Sequence, residues 1–354
     1  MLESEGQRFF CVLCDLREEI DVNDVDFLDV LVGILRTCVD DLKTRARIDL
    51  KPSYFKDRLT RLYKGLQTPV KLEGLKLPVL FAELAVTIKG SPDARGELRK
   101  VFEPDAGNWM NAANELIGEA VAKVAKKKYS GLVILVDDLD KIARRALDTI
   151  GCTLAENLFV RRAAQLTGFD CHVVYSMPLE LAYSHHRPEI SKSYGGSVAV
   201  LPMTKVQERP PDDADYGPGM DAFRNIIDRR IVHAQSKLSA LFGADATRDA
   251  LIRLSGGQPY ELMELIRRGM ARGLPITAGV LDRLRIELQR DYVWLREEHF
   301  AILKAAAHDG ALTRTEKNEK LIGELLGSRA LLQYLNDDEW YRPNPAIRDL
   351  LPPD

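Results

Sequence analysis

One segment constrains this chain more than any other. In Gly131–Ile142, GLVILVDDLDKI, five apolar residues run directly into a cluster of acids. A continuous apolar run of this length, ended abruptly by charge, is the pattern of a strand buried on both faces, as in parallel sheets. Asp137 and Asp138 then emerge at its carboxyl end, where open α/β sheets place their ligands. In a nucleotide hydrolase the first acid of such a pair holds Mg²⁺, commonly through water, and the second orients the attacking water. The structural alternative is that Asp138 and Asp140 simply begin the next helix, where acids are favoured.

Other segments alternate in the same sense. FFCVLCDL (Phe9–Leu16) reads as a buried strand, and Val25–Lys43 carries apolar residues at helical spacing. Residues 44–75 read as a helix and a loop, and LPVLFAELAVTIKG as a strand or an inserted hairpin. Asn108–Lys128 reads as a helix whose Lys126-Lys127-Lys128 end offsets the helix dipole. A helix over Ala143–Leu166 is expected to lead into two more strands, CHVVYSMP (Cys171–Pro178) and SVAVLPM (Ser197–Met203). Strands alternating with helices predict an α/β fold with a parallel sheet covered on both faces.

QERPPDDADYGPG (Gln207–Gly219), with three prolines and two glycines, reads as a linker. Beyond it the spacing is helical through DAFRNIIDRRIVHAQSKL, TRDALIRLS, PYELMELIRRGMARG and Val280–Trp294. FAILKAAAHDG and EKLIGELLGSRALLQYL also read as helices, and NDDEWYRPNP as a small hairpin. Helices closed by a hairpin predict a winged-helix-like end.

Fifty basic against 53 acidic side chains leave a net charge of −3, too even to require nucleic acid or an anionic membrane. No apolar run reaches the roughly 20 residues that cross a bilayer. MLESEGQRFF lacks the apolar core of a secretory signal, so a cytoplasmic protein is expected. Cys11 and Cys14 form a CxxC, but side chains three apart on a strand point to opposite faces, so the pair reads as small buried hydrophobes. The six histidines show no metal-ligand spacing.

VILVDDLDKI resembles the Walker B segment of the AAA+ and STAND ATPases, in the bacterial branch related to origin-recognition ATPases. The likeness extends along most of the chain. HVVYSMPLELA is similar to their fourth strand, placing Ser176 at the sensor 1 position that touches the γ-phosphate. LSGGQPYELMELIRR is similar to the sensor 2 helix of the lid, placing Pro259 and Tyr260 there. FFCVLCDLREEIDVNDVDFLDVL resembles the second strand and helix of the core, and SRALLQYLNDDEWYRPNPAIRDLL the wing. The order and spacing of these segments carry the resemblance more than any one of them.

The resemblance implies a P-loop NTPase (ASCE) core over residues 1–204, a linker over 205–219, a helical lid over 220–290 and a winged-helix-like domain over 291–354. It implies ATP and Mg²⁺ as cofactors, with Asp137 the metal residue and Asp138 and Ser176 catalytic. Arg187, between the last two core strands, is the candidate arginine finger acting on a neighbouring protomer. His185 and His186 read as surface residues, Arg229 and Arg230 as ion-pair partners, and Trp340 and Tyr341 as packing for the wing.

Two departures qualify it. The sequence contains no GxxxxGK[ST], the loop whose backbone amides and lysine hold the phosphates. In the family that loop and its strand precede the segment beginning here at Phe9. An earlier start codon, truncation and outright loss are the three accounts, and Met1 falling just before a strand favours the first. Tyr260 also stands where sensor 2 offers arginine. The expected function is an ATP-driven switch that binds nucleotide weakly as this chain, with a homo-oligomer or protein partner. The alternative is a non-catalytic interaction module of the same shape. DNA binding by the C-terminal end ranks last, because Glu316, Glu319 and Glu324 offset Arg314, Lys317, Lys320 and Arg329.

Overall fold

The computed structural model describes residues 8–50, 77–147, 151–196, 198–315, 317–336 and 338–352. Most of the segment expected as a helix and loop over 44–75 lies outside them. The chain packs as two units, Met1–Val198 and Ala199–Asp354.

The first unit is mixed α/β. Strands β1 (Phe9–Asp15), β2 (Gly131–Asp137) and β3 (His172–Tyr175) form a parallel sheet in the order β1-β2-β3. In register, Leu13 stands beside Leu135, Leu135 beside Val174, and Asp15 beside Asp137. Helices α1 (Phe27–Ala46) and α4 (Ala106–Lys126) bring a continuous core to one face, where Val12, Cys14, Ile134 and Val136 are buried. Each such side chain removed from water contributes about 1.5–3 kcal/mol.

The entry to α1 is set by chemistry rather than by apolar spacing alone. Asp26 caps the helix, and Asp29 in the first turn accepts the Asp26 main-chain N–H at 2.7 Å, completing a reciprocal capping box. Arg99, on α3 (Pro92–Phe102), pairs with both Asp24 and Asp29.

Four expectations change here. LPVLFAELAVTIKG is neither strand nor hairpin but helix α2 (Leu77–Gly90). Phe81, Leu84, Ala85 and Ile88 recur every three or four residues and are all buried. Ala143–Leu166 is not one helix. Gly151, at φ +65°, turns a short hairpin of Ala146–Leu147 against Cys152–Thr153. Three short helical pieces follow, Leu154–Glu156, the π-type Asn157–Arg161 and Ala163–Leu166.

SVAVLPM forms no strand among its described residues, and Leu201 is 92% exposed. Among the described residues the second face of the sheet is covered only in part: Val133 is buried there, and Leu135 half-buried. Leu13, Leu135 and Val174 form a row on that face, with Leu13 and Val174 59% and 57% exposed.

The second unit is predominantly helical: α5 (Gly217–His233), α6 (Asp245–Leu254), α7 (Pro259–Arg272), α8 (Ala278–Arg290), α9 (Glu297–Asp309) and α10 (Glu319–Gly327). The helix expected over EKLIGELLGSRALLQYL stops at Gly327. Arg329 adopts φ +61°, and Leu331–Tyr334 becomes strand β4, antiparallel to β5 (Trp340–Pro343). Trp340 is buried and stacks on Tyr334 at 4.1 Å, the packing role expected of it.

The stretch read as a linker is folded onto this unit. Gln207 bridges Asp215, and the buried Arg342 guanidinium donates to the carbonyls of Glu208 and Asp212.

Candidate functional site

The three parallel strands end on one rim, and β2, the central strand, delivers three carboxylates there. One oxygen from each of Asp137, Asp138 and Asp140 lies within 4.8 Å of the others. Asp137 and Asp140 are exposed; Asp138 is 3% exposed. The turn is tight because Asp138 adopts the left-handed conformation, φ 67° and ψ 6°, before a single 3₁₀ turn over Leu139–Lys141. Asp138 therefore does not begin a regular helix, and it makes no side-chain cap bond to the turn that follows.

Hydrogen bonds fix the turn to both neighbouring strands. The Asp137 carboxylate accepts the Asp138 main-chain N–H at 2.8 Å. Ser176, directly after β3, donates its main-chain N–H to the Val136 carbonyl at 2.9 Å. Its hydroxyl oxygen accepts the Leu139 N–H at 3.1 Å. The residue placed at the sensor 1 position thus reaches the acidic turn and supports it. On the other side, the Ala143 N–H reaches the Val22 carbonyl at 2.9 Å, tying the turn to the segment after β1.

The buried Asp138 is neutralised by two cations that sequence reasoning did not include. Arg17 Nε lies 2.6 Å from Oδ2, and Lys141 Nζ donates to Oδ1. The Arg17 approach is off the line of its N–H, so Oδ2 has no aligned hydrogen bond. Arg17 also pairs with Asp15 at 3.3 Å. That hydrogen bond holds the Asp15 carboxyl below its usual value and the Arg17 guanidinium above its own. The Asp138 hydrogen bond raises Lys141 in the same way. Asp138 is thus paired by charge within the fold, with Oδ1 hydrogen-bonded and Oδ2 held by the nearby guanidinium alone.

Both cations were legible by position. Lys141 lies three residues from Asp138 on the same turn, and Arg17 lies two residues past the end of β1, beside β2 in a parallel sheet. Arg187 begins the short helix Arg187–Ser193, is exposed, and is outside the hydrogen bonds and ion pairs of the acidic turn. His186 lies 3.6 Å from Glu156 and 3.5 Å from Glu189. Pro259 and Tyr260 begin α7 in the second unit, with Tyr260 exposed. Cys14 is buried and its thiol pushed up to about 12 by burial, while Cys11 points to the opposite face, so this CxxC is not a reactive pair.

Fold and site together define a small parallel α/β sheet with an acidic, serine-braced turn at its carboxyl rim. Comparison with protein-family models, curated proteins and solved structures finds no match to this chain. Among the described residues, no helix is long and apolar enough to cross a membrane.

Proposed function

We propose that the Asp137–Asp140 turn is the metal end of a Mg²⁺–ATP site, and that the chain is a nucleotide-dependent switch of the AAA+/STAND type. The observation that carries this reading is the place of the three carboxylates: together, at the carboxyl end of the central strand, with Ser176 bonded to the same turn. Hard carboxylate oxygens on a shared turn suit Mg²⁺, which keeps several of its waters and needs only one or two protein ligands. Asp137, exposed, is the direct or water-mediated ligand; Asp138 shapes the turn and adds charge. The phosphate-cradling GxxxxGK[ST] is not among these 354 residues, so this chain alone holds nucleotide weakly.

Mn²⁺ water-proton relaxation tests the reading. The wild-type chain retains Mn²⁺ with a dissociation constant of roughly 1 mM, ATP strengthens the retention, and Asp137→Asn removes it. Identical retention by wild type and Asp137→Asn would sink the site assignment, and micromolar ATP affinity would refute the expectation of weak binding. A second reading, a non-catalytic protein-interaction module, is favoured by the exposed Leu13 and Val174, which flank the half-buried Leu135 on one face of the sheet.

A further inference from the structure

The pairing at Asp138 sets up an exchange of partners. We infer that Arg17 and Lys141 are displaceable counter-ions. A divalent cation arriving with a polyphosphate at Asp137 takes over from them as the counter-charge of the neighbouring Asp138, and the released guanidinium and ammonium bind the phosphate oxygens. The inference rests on the nucleotide reading above and assigns to that site the cationic residues it otherwise lacks.

Burial and exposure carry the argument. Asp138 is 3% exposed, so its charge needs a compensating partner in every state. The side chains of Arg17 and Lys141 are 57% and 49% exposed, so each can swing away from Asp138 with its charge still solvated. Oδ2 faces Arg17 without an aligned hydrogen bond, a contact that is electrostatic and not directional. Such a contact is the one most readily replaced by a metal ion or its water.

Charge points the same way. Asp137 and Asp140 are exposed and bring carboxylate oxygens within 4.8 Å of Asp138, so a divalent cation finds negative charge concentrated on this turn. A polyphosphate then supplies the anion that the two freed cations need. Guanidinium matches phosphate oxygens in a bidentate fork, a stronger arrangement than its present off-line approach to a carboxylate.

The test compares Mn²⁺ alone with Mn²⁺ and inorganic tripolyphosphate, on the full chain. With Arg17→Gln and Lys141→Gln combined, Mn²⁺ alone binds about tenfold tighter, because its competitors at Asp138 are gone. Mn²⁺–tripolyphosphate binds about tenfold weaker, because the phosphate partners are gone. Lys141→Gln alone, which keeps the Arg17 fork, recovers part of the second value. A purely structural role would move both affinities in one direction. Shifts of the same sign, or none, overturn the exchange while leaving the metal site standing. A wild-type chain that retains neither probe overturns both readings. Unchanged circular dichroism confirms that the variants fold.

Discussion

Asp29 offers the sharpest quantitative test of the first unit. It sits in the first turn of α1, fully buried, with one oxygen accepting the Asp26 N–H and pairing with Arg99 while the other has no hydrogen bond. Asp21, Asp24 and Asp26 together with Arg95, Arg99 and Arg162 make the surrounding charge network. Burial pushes the Asp29 carboxyl from 3.8 up to about 6, against the opposing pull of Arg99. A rise of this size corresponds to about 3 kcal/mol at about 1.4 kcal/mol per unit.

The sign follows from proton linkage. Between about pH 4 and pH 6 the folded chain holds a proton that the unfolded chain has released, so this group's contribution to stability falls as pH rises. Above about pH 6 the contribution is level. Asp29→Asn imitates the protonated state at every pH, so its stability relative to wild type should climb by about 2.5 kcal/mol from pH 4 to pH 7. Taking the difference cancels carboxylates that titrate alike in both proteins. Native-state hydrogen exchange of the α1 amides, compared at matched pH, reads this without requiring the two units to unfold together. A difference that stays flat, or that falls as pH rises, refutes the reasoning: it would mean that Arg99 balances or outweighs burial.

Two further outcomes follow from packing. Gly257 adopts φ +76°, and a Cβ there would lie 1.8 Å from the Thr204 carbonyl oxygen, so Gly257→Ala should cost the second unit more than about 2 kcal/mol in thermal denaturation. A loss below about 0.5 kcal/mol would show that this close approach relaxes freely. Val174→Lys should change stability by no more than about 0.5 kcal/mol while reducing retention on a hydrophobic resin, because the side chain faces solvent. A loss of several kcal/mol would show that the Leu13–Leu135–Val174 row is covered.

The sheet was legible because its strands are short apolar runs with abrupt ends. FFCVLCDL, GLVILVDDLD and CHVVYSMP each contain the strand expected of them, within a few residues. The errors came where a local signal competed with an apolar one. Phe81, Leu84, Ala85 and Ile88 have helical spacing, but the dense apolar content of LPVLFAELAVTIKG obscured it. Gly151 and the Thr153–Glu156 capping box interrupt what was read as one long helix.

Leu331–Tyr334 lies in a run of good helix formers and becomes a strand because its pairing with Trp340–Pro343 buries all four residues. The sequence placed the carboxylates and Ser176 at the carboxyl ends of strands, and the structure brings them to one turn. Arg17 was missed because it belongs to the turn only through the parallel register, which brings Asp15 beside Asp137.

The left-handed backbone at Asp138 has a consequence for any mutational scan of this region. Asparagine, aspartate and glycine accept that geometry far more readily than other residues, and a β-branched replacement is strained before its chemistry is considered. Alanine or valine at 138 would therefore strain the turn and remove the carboxylate together. Only asparagine separates the two, keeping shape and removing charge, whereas glycine keeps the turn but removes the whole side chain that Arg17 and Lys141 pair with. A deep scan scored without this distinction would record position 138 as intolerant and leave its electrostatic role unmeasured.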